Sequence, residues 1–515
     1  MKIVTAEQMK QIDRTAIDHR NIPSLRLMEH AGKAVTTTLL NDFPTAKRIA
    51  IFVGKGNNGG DALVVARLLH QKQKKVSVYL TANSAEMSPD AKSNLNKYLR
   101  LRRAPKPIQI TKDLLHNLPQ LLAEFHLIID GLLGTGMKGK VAGLLADIIF
   151  LINDARKPIV AIDIPSGLHA DTGEPLGISI RAALTVTLGL PKPGLITYPG
   201  AEYAGKLVIA DIGLPPDLMI DEKIKLNWLT ASEMKSILPF RKPDTHKNNF
   251  GHVLVLAGSV GFTGAATLTS ISALRAGAGL VTLGIPKSLC DIMESKLTEV
   301  MKLPLPETEQ RSLALKAEQP IMEFAKKATV LAIGPGLSLN EETKQLVRKI
   351  VIQSTLPMVI DADGITAISD DLSVLQQAKA PVILTPHPGE MARLLHSISK
   401  MVQSNRIELA RRFAQDYNVI LVLKGARTVI AEPTGQVYIN STGNPGMASA
   451  GVGDVLTGLI AGFLSQKVSP LNSALLGVYL HGLAGDLAAE QLTQYSLIAS
   501  DILAYLPQSF RNILA

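Results

Sequence analysis

The 515-residue chain has one cysteine, Cys290, and one tryptophan, and only 4% of it is aromatic. A lone cysteine excludes an intrachain disulfide and fits a reducing compartment. So few aromatics leave little with which to stack nucleic-acid bases. The net charge is +10, but lysine and arginine are scattered, with only short clusters such as KQKK (72–75) and RLRR (100–103). Such an excess suits a solvated surface or attraction of anionic metabolites better than a nucleic-acid track. No uninterrupted apolar stretch approaches the ~20 residues of a membrane helix. The first residues, MKIVTAEQMKQIDRT, carry charges where a secretory leader would be apolar. The chain is expected in the cytoplasm, acting on small molecules, with no nucleic-acid or membrane partner. A homo-oligomeric state is also expected.

What the sequence does contain is an apolar share of 46% beside 19% charged residues, the composition of a packed globular protein. Its length calls for two or three domains. Short apolar runs alternate with helical patterns, the signature of parallel α/β architecture. Strands are expected near 48–53, 75–80, 126–130, 158–163, 183–189 and 206–211. A polar, proline-bearing stretch (214–234) and the charged RKPDTHKNN (241–249) follow. A second series is expected near 251–259, 280–284, 328–333, 357–361, 381–385 and 419–423. A hairpin over 428–439 would turn at Pro433-Thr434-Gly435. We place the boundary near residue 222, giving domains 1–222 and 223–515. The two series share no repeat beyond βα alternation, so they read as a fusion rather than a duplication.

Residues 54–61, GKGNNGGD, lie between an apolar run and an amphipathic one and satisfy GxGxxG. Strand, glycine turn and helix is the context in which that spacing binds a dinucleotide. Gly54, Gly56, Gly59 and Gly60 would let the backbone approach a phosphate at a helix N-terminus. The second strand, however, runs into Thr81, Ala82 and Asn83 instead of the acid that holds a ribose. Asn57, Asn58 and Asp61 exceed what a phosphate turn requires, although Asp61 could cap the helix. Asp130 in IIDGLLGTGMKG and Asp163 and Ser166 in VAIDIPSGLHADTG end two further strands. Carboxyl ends of parallel strands open onto one edge. Asp130, Asp163, Ser166 and Asn58 could therefore meet as an oxygen-rich site for K⁺, Na⁺ or Mg²⁺; separate caps and turns are the other reading.

GNNGGD, DGLLGTG and DIPSGLHADTG, in this order, resemble the YjeF N-terminal domain, the NAD(P)H-hydrate epimerases, over about residues 1–220. The resemblance implies a Rossmann-like three-layer fold and a substrate that is NADH or NADPH hydrated at the nicotinamide ring, NADHX or NADPHX. It implies substrate contacts from Asn57, Asn58, Gly59, Gly60 and Asp61, from Gly134, Thr135, Gly136, Met137, Lys138, Gly139 and Lys140, and from Asp163. It also implies K⁺ ligation by Asn58, Asp130 and Ser166. Asp163 and Lys138 are the local candidates for acid/base work at the hydroxylated carbon or ring nitrogen. Lys55 and Ala62 replace a proline and a glycine commoner in the family; neither change removes a polar group.

In the second series, GSVGFTGAA (258–266), GPGL (334–337), DADGI (361–365) and TPHPGE (385–390) each end an apolar run in turn residues. Together they would line one sheet edge. In GNPGMASAGVGDVLTGLIAGFLSQ (443–466), Gly451 and Gly453 precede an apolar helix, with Asp454 at its start. Asp454 could simply cap that helix. Alternatively, backbone N–H groups there could hold a transferring phosphate while Asp454 takes a proton from the attacking hydroxyl. No GK[ST] follows a glycine loop, so Walker A chemistry is absent.

GxGD before a helix resembles the ribokinase-like superfamily. NPGMASAGVGDVLTG with KGART and HPGE is similar to the ADP/ATP-dependent NAD(P)H-hydrate dehydratases, over about residues 226–510. The resemblance implies adenine-nucleotide contacts from Lys424, Gly425, Ala426, Arg427, Thr428 and Gly453. It implies contacts to the hydrated dinucleotide from Ala265, Gly336, His387 and Asp454. ADP, or ATP, with Mg²⁺ would phosphorylate the C6 hydroxyl of the S-hydrate, and phosphate loss would restore the ring. Fusions of this kind in bacteria favour ADP. Ala450 stands where the family usually has glycine. His387 could be a rigid-turn residue, and His481 reads as structural. The other reading of the chain is a ribokinase-like kinase for a vitamin precursor fused to a non-catalytic YjeF-type module.

Overall fold

The computed structural model describes residues 1–515 and divides into two compact units, Lys2–Ile224 and Lys225–Ala515. No helix is long and apolar enough to cross a membrane.

In the first unit, apolar runs form the strands β1 (Arg48–Val53), β2 (Lys75–Leu80), β3 (Ile108–Gln109), β4 (Leu127–Gly131), β5 (Ile159–Ile162), β6 (Leu184–Leu188) and β7 (Lys206–Ala210). They stand in the order β3-β2-β1-β4-β5-β6-β7, and all neighbours are parallel. Alternation along β1 explains the layers. Ile49, Ile51 and Val53 face one buried cluster, while Ala50 and Phe52 face another, so helices cover both sides of the sheet. The chain builds β1, β2 and β3 outward in one direction and then returns to place β4 on the other side of β1. That reversal opens a crevice at the carboxyl ends of β1 and β4.

The second unit contains β8 (Leu226–Trp228), β9 (His252–Leu256), β10 (Leu280–Pro286), β11 (Met301–Leu305), β12 (Val330–Ile333), β13 (Met358–Ile360), β14 (Val382–Leu384), β15 (Ile420–Leu423), β16 (Val429–Ala431) and β17 (Val437–Ile439). Their order is β8-β17-β16-β15-β14-β13-β12-β9-β10-β11. Only β16 runs antiparallel to its neighbours, and it forms the expected hairpin with β17, turning through Gly435 at φ 84°. Val253 and Val255 face one cluster, Leu254 and Leu256 the other. Here the order reverses between β9 and β12.

β3, β8 and β11 were not expected from the sequence. Each is an edge strand or very short, and MKLPL in β11 carries a lysine and a proline that erase its apolar signal.

Helix Thr263–Arg275 packs directly on helix Val452–Ser465 through a glycine. A Cβ on Gly458 would lie 1.9 Å from Ser272 Oγ and 2.1 Å from Thr269 O, whereas one on Gly264 would meet nothing within 4 Å. Gly458→Ala is therefore expected to destabilise the second unit by about 1–3 kcal/mol through overpacking. Gly264→Ala should leave it unchanged or stabilise it by about 0.4–1 kcal/mol. Thermal or denaturant melting of the two variants checks this; equal melting would refute the close helix contact.

Candidate active sites

The first site lies at the β1/β4 reversal. GKGNNGGD does not form a long loop there, because the helix Asn57–Gln71 begins at its fourth residue with Gly56 as N-cap. A Cβ on Gly54 would lie 1.8 Å from Leu132 O, one on Gly59 2.0 Å from Gly54 O, and one on Gly60 2.7 Å from the Met28 side chain. These three glycines serve internal close approach. Only at Gly56 would a Cβ meet open space. Asp61 is not the cap: it lies inside the helix and is buried.

A cavity of ≈ 770 Å³ opens beside this helix. Asn57, Asn58, Asp61, Gly134, Thr135, Gly136, Met137, Lys138 and Asp163 all line it, so segments far apart in sequence are brought together. Gly59 and Gly60 sit behind the wall. Gly139 and Lys140 are exposed and do not line the cavity; the Lys140 stem packs near Gly177.

A buried polar network adjoins Asn58. Asp130, fully buried at the end of β4, accepts from Ser166 Oγ (2.6 Å) and Leu132 N (3.2 Å) on Oδ1 and from Ser166 N (2.8 Å) on Oδ2. Leu133 N donates to Ser166 Oγ (2.8 Å), and Asn58 Nδ2 donates to Leu133 O (2.8 Å). Asn58 Oδ1 is buried with no partner. Burial pushes the Asp130 carboxyl up to about 6, against the pull of its hydrogen bonds from Ser166 and Leu132. An orphaned amide oxygen joined to a carboxylate and a hydroxyl is a donor set that fits a hard monovalent cation such as K⁺.

Asp163 follows β5 in a left-handed conformation, φ 64°, where few side chains other than Asp, Asn and Gly settle. Its Oδ1 accepts from Lys192 Nζ (2.5 Å), Leu188 N (3.0 Å) and Thr187 Oγ1 (3.1 Å). Two further acids approach the same place. Asp61 is pushed well above the usual carboxylate range by burial and then by the charges of Asp163, Asp13 and Asp90. Asp13 is raised to about 6 by burial, with Lys192 pulling the other way. Burial and these charges thus favour the protonated form of Asp61. Lys192 and Asp13 carried no sequence signal, being a lone lysine in a proline-rich turn and an acid on an ordinary amphipathic helix.

The second site lies at the β9/β12 reversal. Helix Val452–Ser465 has Gly451 as N-cap at φ 86°, and Asp454 is its third residue, so Asp454 is not the cap. Burial and the neighbouring Asp361 raise Asp454 to about 7, with Lys424 opposing. Lys424 Nζ lies 2.6 Å from Asp361 Oδ1 and 4.0 Å from Glu390 Oε2. Thr457 Oγ1 donates to Asp361 Oδ2 (2.7 Å), tying the helix to β13. A Cβ on Gly453 would fall 3.2 Å from Lys424 Nζ. The glycine therefore keeps the helix end open toward the cation, a setting that fits nucleotide phosphates.

Gly425 and Ala426 are exposed. Arg427 lays its guanidinium 5.1 Å from the Trp228 ring centre and donates to Ser441 O, and Thr428 Oγ1 donates to Gly425 O. Ala265 and Gly336 are neighbours: a Cβ on Gly336 would lie 3.3 Å from that of Ala265. His387 caps helix Pro388–Leu394, its Nδ1 accepting from Gly389 N (2.9 Å) and Glu390 N (3.3 Å), while the ring remains exposed. His481 is buried, donates from Nε2 to Val452 O (2.9 Å), and is lowered to about 4 by burial, which makes it neutral and structural. Asp361 and Glu390 lay in the DADGI and HPGE strings without being singled out. Asp361 directly follows β13, the same strand-end rule that marked Asp130 and Asp163. A separate open cleft of ≈ 860 Å³ beside helix Glu318–Ala325 contains none of the expected site residues.

Comparisons with known proteins agree along the whole chain. The family model described as YjeF-related protein N-terminus matches residues 24–194, and that described as NAD(P)H-hydrate dehydratase matches 253–508. A bifunctional NAD(P)H-hydrate repair enzyme Nnr of Moorella thermoacetica is 46% identical, the match covering 100% of this chain and 97% of the relative. The Nnr of Thermofilum pendens is 37% identical over 100% and 97%. Among solved structures, an ADP/ATP-dependent NAD(P)H-hydrate dehydratase from Bacillus subtilis, co-crystallised with ATP/Mg²⁺, is 30% identical with a TM-score of 0.48, covering 56% of this chain and 98% of its own. Carrying both family segments and this full-length identity, the chain belongs to the bifunctional NAD(P)H-hydrate repair enzymes of the Nnr family.

Proposed function

We propose that the unit Lys2–Ile224 interconverts the R and S hydrates of NADH and NADPH, and that the unit Lys225–Ala515 dehydrates the S-hydrate at the expense of ADP. The observation that carries the reading is the first cavity. GNNGGD, DGLLGTG and DIPSG meet around it, with Asp163 on its wall and the buried Asn58–Asp130–Ser166 network adjoining. A vitamin-precursor kinase would explain the GVGD helix but leave that construction without a purpose. The same reading has the chain work in the cytoplasm on anionic small molecules, as a homo-oligomer.

In the first site, Asp163, held by Lys192 with its open part on the cavity wall, is the proton acceptor, and Asp61, raised by burial, is the facing donor. Lys138, exposed at the cavity mouth, is the second acid/base candidate. Asn58, Asp130 and Ser166 would hold K⁺. When bound, it supplies fixed positive charge beside the substrate.

In the second site, Asp454 takes the proton of the C6 hydroxyl. The N–H groups at the start of helix Val452–Ser465 and Lys424 hold the phosphate that is transferred to that oxygen. Lys424, Gly425, Ala426, Arg427, Thr428 and Gly453 form the nucleotide side; Ala265, Gly336 and His387 form the dinucleotide side. Mg²⁺ would neutralise the nucleotide phosphates, with Asp361 and Glu390 the acids beside it. Departure of phosphate from C6, with the proton lost from the ring, leaves AMP, phosphate and NAD(P)H.

Incubation of the full chain with ADP and a mixture of R- and S-NADHX should restore the absorbance band of NADH completely. Asp163→Asn should stop R-to-S conversion, so that only the S fraction is recovered, while Asp454→Asn should stop recovery of both. Full recovery by Asp163→Asn, or phosphorylation of a vitamin alcohol in place of recovery, overturns the reading.

Because Asp454 is raised and must be ionised to act, kcat/KM for S-hydrate dehydration should fall as pH drops below about 7. A profile that stays flat to about pH 5 would remove Asp454 as the base.

Exchanging Na⁺ for K⁺ should raise the melting temperature of the first unit through ligand linkage. Asn58→Ala should abolish the rise. Equal melting in both salts would count against the cation site.

A further inference from the structure

Lys192 is the largest charged side chain wholly buried in the protein, at 0% exposure. It sits at the N-cap of the short helix Pro193–Ile196, between prolines 191 and 193, which fix the backbone leading into and out of it. Burying an ammonium is unfavourable unless its donors are all met. Lysine has three N–H donors, and three acceptors surround this one: Asp163 Oδ1 at 2.5 Å, Leu188 O at 3.1 Å and Thr187 Oγ1 at 3.2 Å. Nothing of the ammonium is left over for a substrate.

Asp163 is approached lopsidedly. Oδ1 takes all three donors, from Lys192, Leu188 and Thr187. The part of the side chain that remains open, 16%, belongs to the cavity wall. The backbone of Asp163 holds a sparsely populated conformation at φ 64°, fixed by Asp163 N donating to Val186 O (2.8 Å) and Ile164 N to Ile162 O (2.7 Å). Such conformations persist where the surroundings over-determine them. A single carboxylate is thus pinned by its inner oxygen, from the β6 side, with its outer oxygen presented to the cavity.

We propose that Lys192 is the positioning residue of the first site, clamping Oδ1 of Asp163 so that Oδ2 alone is aimed at the substrate, with Thr187 as the second arm of the clamp. The inference rests on the epimerase reading of this unit. Lys192 does not touch the reacting atoms; it removes the rotation and the alternative hydrogen bonds that would otherwise spread Asp163 over several orientations. Near-attack geometry of this kind governs the rate of the bound complex rather than binding.

The test is steady-state kinetics of R/S interconversion on the full chain, comparing wild type, Lys192→Met, Thr187→Val and Asp163→Asn. ADP-dependent turnover of pure S-hydrate by the second unit serves as an internal measure of folded enzyme. Lys192→Met should lower kcat about 100-fold or more while KM changes less than about threefold; Thr187→Val should lower kcat about tenfold, again without moving KM. The first unit of both variants should still melt cooperatively. Loss confined to KM would make Lys192 a substrate ligand and overturn the proposal, as would unchanged kcat. If Lys192→Met fails to fold, Thr187→Val decides: unchanged kcat there overturns the clamp, and a kcat loss at constant KM upholds it. Wild type that does not interconvert the hydrates, or Asp163→Asn that does so at full rate, would instead sink the epimerase reading beneath it.

Discussion

A parallel strand cannot pair with its predecessor without a crossover, and that constraint organises both units. Every strand but β16 enters its sheet from the same side, so the loops that follow these strands arrive at one edge. Reversing the order of strand addition then parts two neighbouring loops and leaves a crevice between them. In the first unit the parted loops are those after β1 and β4, and in the second those after β9 and β12. GKGNNGGD, DGLLGTG, GSVGFTG and GPGL all fall on those four loops, which is why short strings scattered through the chain amount to two sites.

Within each crevice the dominant physical problem is buried negative charge. Asp13 and Asp163 share one lysine, Lys192, with Asp61 repelled by both acids; Asp361, Glu390 and Asp454 share one lysine, Lys424. One cation cannot compensate three anions in a desolvated place, so the acids separate into roles. In the first unit Lys192 bonds Asp163, and Asp61 is raised by burial. In the second, Lys424 bonds Asp361, and Asp454 is raised toward neutrality. The two units share no visible repeat, yet they arrive at the same device: a lysine locked to a strand-end aspartate, with a second aspartate on the first turns of a glycine-flanked helix. Strand-end geometry makes this economical, because it places acids from strands and from helix starts within the reach of one long side chain.

Most of the architecture was legible because both faces of each sheet are covered, which turns central strands into continuous apolar runs. Edge strands such as MKLPL are not under that demand and were missed. The site was legible where its residues stand in strand-end strings, as Asp130, Asp163 and Asp454 do. Lys192 and Asp13 were not, since their importance comes from meeting Asp163 across 29 residues in one case and from a separate helix in the other. No local pattern marks such a meeting. The glycines taught a different lesson. GxGxxG pointed to phosphate, but Gly54 and Gly59 are required by carbonyl oxygens at 1.8 and 2.0 Å from where a Cβ would be. The motif identifies a tight strand-to-helix turn, and what the turn serves is decided by Asn58 and Asp61 on its helix.

Asp454 shows how the second unit reconciles stability with chemistry. Its folded-state carboxyl is raised from 3.8 to about 7, mainly by burial. The sign follows from linkage: with the folded value above the unfolded one, the group's favourable contribution is complete below the unfolded value and is lost as pH rises through about 7. The pH range that would make Asp454 the base of the proposed reaction is therefore the range in which it weakens the fold. Lys424 and the exposed N–H groups at the start of helix Val452–Ser465 act in the opposite direction, since positive charge and an aligned helix end favour the ionised form. A carboxylate raised to about 7, between burial on one side and a lysine with a helix end on the other, is suited to the proton transfer proposed for it. Moving it far in either direction would sacrifice proton transfer or the packing of the helix that carries it.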